Sequence, residues 1–411
     1  MVDLRNYAIV TSAYWGFTLT DGALRMLVLL HFHTLGYSPL ELAFLFMLYE
    51  FFGVVTNLVG GWIGSRFGLR ITLYVGLSLQ VLALWMLSQL DPAWSKAATV
   101  AFVLAAQGLS GIAKDLTKMS SKSAIKLVVP DDAHSVLFKW VAVLTGSKNA
   151  LKGAGFFMGG LLLATLGFEQ SLWLMAAGLV VLLFACAIFL RSELGKSKAK
   201  VKFTQVFSKS RAINLLSAAR FFLFGARDVW FVVGVPVFLY DVVGWTFTEV
   251  GGFMASWVIG YGFVQAAAPG MVQRSVDGLS SEIRVAQFGA FVLTGIPVGI
   301  VVVIQLGLDT AMAVVGGLAL FGIAFAINSS VHSYLILAFT DPDKVALNVG
   351  FYYMANAGGR LVGSLLSGLS YQFWGLIGCL LSTSILLAIA GLITILLSGE
   401  KRDVVAGRLT D

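Results

Sequence analysis

Apolar residues along this chain fall into long blocks separated by short polar breaks. A helix needs roughly 20 apolar residues to cross a hydrocarbon core of about 30 Å, and blocks of that length recur from end to end. The pattern predicts helices over 7–32, 39–63, 71–90, 97–120, 137–166 and 170–190, then over 212–240, 248–272, 285–307, 310–337, 345–371 and 374–398. Each is long enough to span a bilayer with some tilt. The first block, from Tyr7 to Phe32, is too long for a signal-peptide core and has no small-residue cleavage site, so it reads as an uncleaved first helix. The expected fold class is therefore an all-α membrane protein with twelve transmembrane helices. The longest polar break, Arg191 to Arg211, divides them into two six-helix halves, the organisation of parallel repeats about an axis along the membrane normal. The expected division is an N-terminal half at 1–190, a basic cytoplasmic linker at 191–211, a C-terminal half at 212–400 and a tail at 401–411.

Composition agrees with that picture. Of 411 residues, 58% are hydrophobic and only 12% charged, with mean hydropathy +0.88; a soluble domain of this length needs far more polar surface. The 45 glycines suit helices that must approach closely without a hydrophobic force between them. The net charge of +7 raises the question of nucleic acid, and the loops answer it. Arg66, Arg70, Lys122, Lys126, the 191–211 run, Arg274, Arg284, Lys344, Lys401 and Arg402 fall on one side. Lys96 lies on the other with Asp91, Glu169, Asp241, Glu249 and Asp309. The positive-inside rule places both termini in the cytoplasm of a multi-pass protein of the plasma (cytoplasmic or inner) membrane, so no nucleic-acid partner is expected beside membrane lipid. Cys186 and Cys379 lie far apart in apolar segments, against a disulfide framework or thiolate metal site. The Gly-Lys-Ser at 195–197 lacks the first glycine and the preceding strand of a phosphate loop. No cofactor is expected, and an ion gradient or the solute's own gradient must drive any transport. His31 and His33 read as interfacial rather than metal-binding, and His332 as a residue that lines a cavity or bonds within the bundle.

The informative residues are ionisable groups at mid-span depth, because a charge there costs roughly 2.5–3.5 kcal/mol on insertion scales. Asp21 and Arg25 lie in the first span, Glu50 in the second, and Lys114, Asp115 and Lys118 in the fourth. Lys148 and Lys152 follow in the fifth, Arg220, Arg227 and Asp228 in the seventh, and Arg360 in the eleventh. These are eight cations against four anions. The plainer reading makes them ion pairs that hold helices together, with Asp21 and Arg25 on one helix face and Lys118 and Arg220 snorkelling to the interface. Even without those last two, cations remain in excess, a state that a polyanion in a wet cavity would favour. Arg supplies a planar fork for oxyanions and Lys a point charge. The expected substrate-binding residues are Lys148, Lys152, Arg227 and Arg360, then Arg25 and Lys114. Asn149 and Asn356 stand just upstream of Lys152 and Arg360, which are followed by Gly155 and Gly160 and by Gly363 and Gly368. Asp21, Glu50, Asp115 and Asp228 are candidates for ion pairing or proton coupling. Carboxylates and histidines show no nucleophile–base spacing, so no catalytic residue is expected.

After the second span stands GWIGSRFGLR, with Gly61, Arg66, Gly68 and Arg70. It resembles the cytoplasmic loop signature Gly-x-x-x-Asp-Arg-x-Gly-x-Arg of the major facilitator superfamily, departing from it at Ser65. Four further stretches, YWGFTLTDGALRMLVLLHFH at 14–33, GIAKDLTKMSSKSAIK at 111–126, LTGSKNALKGAGFF at 144–157 and FLFGARDVWFVVGVP at 222–236, resemble the organoarsenical efflux permeases of that superfamily, the ArsJ family. The resemblance implies export of 1-arseno-3-phosphoglycerate, made when a partner glyceraldehyde-3-phosphate dehydrogenase uses arsenate in place of phosphate. Independently of it, a monomer is expected, moving its substrate by alternating access as the two halves rock. From the charges alone, an organophosphate/phosphate exchanger of the same fold fits as well. A membrane-embedded transferase is the alternative from another class.

Overall fold

The computed structural model describes residues 4–124, 134–190, 210–272, 279–340 and 345–410. The linker at 191–209 and the side chains of 60–69, with Gly61, Arg66 and Gly68, lie outside the described residues. So do the side chains of Lys122, Lys126, Arg274, Lys344 and the tail 401–411. No strand occurs among the described residues. The helices run in order as α1 (Leu4–Thr34), α2 (Pro39–Leu45), α3 (Met47–Ser88), α4 (Lys96–Ala124), α5 (His134–Phe189) and α6 (Arg211–Val229). A π turn, Trp230–Gly234, leads to α7 (Val235–Asp241), then α8 (Phe247–Met271), α9 (Ser280–Gln305), α10 (Thr310–Ala338) and α11 (Val345–Thr410). The chain is a multi-pass membrane protein.

Nine stretches among the described residues are long and apolar enough to cross a membrane, rather than the twelve expected. Two of the nine, Ser147–Phe189 and Asn348–Gly399, have 43 and 52 residues. Each contains one glycine in the left-handed region, Gly167 at φ 78° and Gly375 at φ 59°, where the helix bends. Only a residue without Cβ takes that conformation cheaply. The second and third expected spans share one helical run, α3, with no coil at the loop motif. The first expected span, with Asp21 and Arg25, is not among the nine.

Local sequence explains where the helices start and bend. Ser38 and Glu41 cap α2 reciprocally: Glu41 Oε2 accepts from the Ser38 amide at 2.8 Å and Ser38 Oγ from the Glu41 amide at 3.3 Å. Thr246 and Glu249 do the same for α8, at 2.8 and 3.3 Å. The π turn precedes Pro236, which has no N–H to donate and crowds the carbonyl four residues back. Ser367 Oγ accepts from the amides of Val233 (3.0 Å) and Gly234 (3.2 Å) there.

The chain forms two compact units, one of Met1–Tyr37, Phe44–Phe203 and Trp245–Ile259, the other of Ser38–Ala43, Thr204–Gly244 and Gly260–Asp411. In the first, α1 packs mainly on α5 and α3 on α4; in the second, α6 and α9 pack on α11. Glycines set the closest approaches. A Cβ on Gly155 would lie 2.4 Å from the Leu19 carbonyl oxygen on α1, and one on Gly160 would lie 2.2 Å from that of Phe247. In the second unit, a Cβ on Gly363 would lie 2.3 Å from the Gly225 carbonyl oxygen on α6, and one on Gly368 would lie 2.4 Å from that of Pro39.

These pairs share one register. Lys152 and Arg360, Gly155 and Gly363, Gly160 and Gly368, and Gly167 and Gly375 are all separated by the same number of residues. So are Gly36 and Gly244, Ser38 and Thr246, and Glu41 and Glu249. The chain therefore contains an internal repeat of both sequence and packing. In this register Asn356 answers to Lys148, not to Asn149.

Candidate functional site

Titratable side chains gather in one cluster in each unit. In the second unit, α6 supplies Arg227 and Asp228 and α11 supplies Arg360. Arg227 Nε donates to Asp228 Oδ1 at 2.7 Å, its Nη2 reaches the same oxygen, and Arg360 Nε donates to Oδ2 at 3.1 Å. The Asp228 side chain is 1% exposed, whereas those of Arg227 and Arg360 are 16% and 17% exposed. Two cations thus hold one buried carboxylate and keep part of their own surface open. Arg227 also lies over the rings of Phe224 (5.0 Å), Phe231 (5.5 Å) and Phe325 (5.9 Å), which shield the guanidinium plane and leave its edge for bonding.

Two turns earlier on α6, Arg220 is 4% exposed and is no interfacial residue. Its Nε donates to Asn356 Oδ1 at 3.0 Å, and its Nη1 to the Ser329 carbonyl at 3.1 Å and Ser329 Oγ at 3.0 Å. Its guanidinium lies 3.9 Å from the Phe224 ring centre and 5.0 Å from that of Tyr352. Every acceptor is neutral. Burying a cation costs several kcal/mol; hydrogen bonds involving a charged group return about 1.5–3 kcal/mol each, so the site is tolerable while its charge stays uncompensated. Sequence reasoning set Arg220 aside by its position near the start of the helix. The seven-residue spacing from Arg227, which puts both on one helix face, was the available signal.

In the first unit the charges pair across helices instead of along α1. Asp21 Oδ1 accepts from the Tyr49 hydroxyl at 2.7 Å, and Arg25 Nη1 donates to Glu50 Oε1 at 2.9 Å. The Tyr49 ring has Lys114 Nζ 3.9 Å from its centre on one helix and the Arg25 guanidinium at 5.7 Å on another. Arg25 Nη2 is buried with no hydrogen-bond partner. Asp115 accepts from Thr56 and, at 3.4 Å, from Lys118, whose Nζ also donates to Asn57 Oδ1 at 2.9 Å. Lys118 is therefore tied to Asn57 on α3 as well as to Asp115 on its own helix.

Lys148, Asn149 and Lys152 are half-buried on α5, with Lys152 Nζ 5.7 Å from the Phe156 ring centre. The structure brings together Arg25, Lys114, Asp21, Glu50 and Asp115 in the first unit, and Arg227, Asp228, Arg360 and Asn356 in the second. Of the loop motif, Arg70 Nε donates to the Tyr74 hydroxyl at 3.1 Å, and that hydroxyl donates to the Cys186 carbonyl at 2.9 Å. Among the described residues no group of three or more His, Cys, Asp or Glu is placed to hold a metal ion. His31 stacks on Phe168 with ring centres 4.0 Å apart.

Arginines and carboxylates buried among apolar helices long enough to cross a bilayer are costly, and they mark a functional site. The Major Facilitator Superfamily model matches residues 9–328, and the chain belongs to that superfamily. Its fold is that of known transporters. A POT family transporter in complex with a thioalcohol-conjugated peptide superposes with TM-score 0.73 and 14% identity, covering 97% of this chain and 96% of that one. The nucleoside transporter NupG superposes with TM-score 0.70 and 14% identity, covering 98% and 100%. No curated protein sequence matches the chain.

Proposed function

We propose that the chain is a secondary transporter that exports a small, multiply negative solute, and that the solute is the organoarsenical 1-arseno-3-phosphoglycerate. The observation that carries the anion reading is the convergence of Arg227 and Arg360 on Asp228, with both guanidinium groups still partly open. An oxyanion arriving there meets preformed forks, which favour planar two-point bonding. The reading also counts Asn356 of the second unit, and Arg25, Lys114, Lys148, Asn149 and Lys152 of the first, among the residues that bind the substrate. Asp21, Glu50, Asp115 and Asp228 neutralise these cations when substrate is absent, and one of them carries any coupled proton.

The arsenical identity rests on the resemblance of the stretches at 14–33, 111–126, 144–157 and 222–236 to the organoarsenical permeases. In this reading the chain crosses the plasma membrane twelve times, α5 and α11 each contributing two crossings about Gly167 and Gly375. It keeps both termini in the cytoplasm and works by alternating access of two six-helix halves. A glyceraldehyde-3-phosphate dehydrogenase supplies the substrate, and export confers arsenate resistance.

Arsenate-exposed cells lacking their own exporters test this reading when they express the chain with or without that dehydrogenase. Less retained arsenic only when both are present is the expected result. Equal retention, with the protein present in the membrane, would exclude the arsenical. Phosphate-dependent exchange of an organophosphate in vesicles would then identify an exchanger of the same fold.

A further inference from the structure

We propose that Arg220, with Asn356 and Ser329, is a second oxyanion seat, and that the transported solute is a short chain with an anionic group at each end, one on Arg220 and the other on Arg227 and Arg360. The inference rests on the anion-transport reading and adds to it a residue, Arg220, and the placement of the two negative groups.

Arg220 differs from the other arginines of the second unit in what surrounds it. Arg227 and Arg360 have a carboxylate between them, whereas Arg220 spends its hydrogen bonds on an amide oxygen, a carbonyl and a hydroxyl. Its Nη2 makes no hydrogen bond among the described residues, which leaves a donor edge unused. Phe224 and Tyr352 approach its guanidinium within 3.9 and 5.0 Å of their ring centres, an enclosure that strengthens electrostatic attraction to an incoming oxyanion. One turn past Ser329 on α10, Nδ1 of His332 is buried with no hydrogen-bond partner, so polar capacity remains beside the seat.

The second seat is within reach of the first. Arg220 and Arg227 are two turns apart on one face of α6, roughly 10 Å along the axis, with Phe224 in contact with both guanidinium groups. On α11, Asn356 and Arg360 are one turn apart, roughly 6 Å, and each bonds to the α6 residue beside it, Arg220 and Asp228. Two cationic seats on the same pair of helices fit a ligand with two anionic ends better than a single compact anion.

Two stable probes of equal length separate the possibilities: 3-phosphoglycerate, with a phosphate and a carboxylate, and glycerol 3-phosphate, with the phosphate alone. Binding is measured on the purified full chain in a neutral detergent without anionic lipid, so lipid phosphate cannot fill the seat. The wild-type chain should prefer 3-phosphoglycerate by about tenfold or more, and Arg220→Gln should erase that preference with little change in glycerol 3-phosphate affinity. Arg220→Lys, which keeps a charge, should retain part of the preference, and it serves alone if the glutamine variant does not fold. An unchanged preference in the variant that folds overturns the proposal, as does equal loss of both probes, which marks a bracing residue. A wild-type chain that binds neither probe overturns the anion-transport reading itself.

Discussion

Asp228 shows how much one side chain decides in a low-dielectric interior. Its carboxylate receives hydrogen bonds from Arg227 and Arg360, so removing its charge leaves two guanidinium groups facing each other. Breaking a buried pair by deleting one partner costs about 3–5 kcal/mol. Asp228→Asn should therefore lower the thermal midpoint of the purified protein, and adding Arg360→Gln should recover part of the loss, because the repulsion goes with it. A double variant less stable than either single one would show that the two arginines are not coupled through Asp228. Function should respond in the opposite way. Lys152→Gln or Arg360→Gln should abolish transport in vesicles while membrane insertion stays normal, and full transport by both variants would remove them from the substrate path. That these positions matter was legible in the sequence, because insertion cost makes any mid-span charge conspicuous. Their partners were not: Asp21 and Arg25 lie one turn apart, yet Asp21 bonds to Tyr49 and Arg25 to Glu50. Such choices depend on which helix packs opposite, and no spacing along one helix encodes that.

Helix pairs in each unit are joined at glycines that admit no side chain. Gly155 against α1 and Gly363 against α6 bring backbones to within van der Waals contact, and an added Cβ would meet a carbonyl oxygen at 2.4 and 2.3 Å. Backbone oxygens cannot swing aside as a side chain can, so Gly155→Ala and Gly363→Ala should each cost about 1–3 kcal/mol by overpacking. Gly260→Ala is the matched control, since nothing lies within 4 Å of its Cβ position and alanine is the better helix former by roughly 1 kcal/mol. Melting the three variants in detergent should lower the midpoint for the first two and leave or raise it for the third. Part of this design was visible beforehand: Lys152 and Arg360 with their trailing glycines reveal a repeat. The matching capping boxes, Ser38 with Glu41 and Thr246 with Glu249, were equally readable and extend the same register. The bends at Gly167 and Gly375 were largely readable, since the expected spans break at 167–169 and at 372–373; what no pattern announces is that one glycine at or beside each break takes a positive φ while the helix runs on around it. The continuous run of α3 through the loop motif was hidden too, since a polar, glycine-bearing break suggests coil whether or not the helix stops.

For the whole molecule, the superfamily assignment and superpositions at 14% identity establish the fold, while the charges speak to the chemistry. The boundaries of the two compact units add a consequence for how the chain can be divided. Residues 245–259 belong with the first unit and 38–43 with the second, so neither unit is built from one continuous stretch of chain. Within the first unit, Gly160 of α5 is covered by Phe247 and Gly251, and Gly153 by Ala255 and Ile259, all from α8. Within the second, Gly368 of α11 is covered by Pro39, Leu40 and Ala43, and Leu40 donates its amide to Gln372 Oε1 at 3.2 Å. A fragment of residues 1–200 would expose the glycine face of α5, and a fragment of 201–411 that of α11. Close-packed small-residue faces depend on contact with a partner helix, since lipid tails cannot follow a backbone groove as well as a matched helix does. Each fragment expressed alone should therefore fail to accumulate, and the two co-expressed should accumulate together and co-elute after detergent extraction. Stable, monodisperse 1–200 on its own would show that the α8 segment contributes little to the first unit. Co-elution that survives Gly160→Leu would place the association elsewhere, because the added side chain must clash with Phe247 and Gly251 at that joint whatever the connectivity.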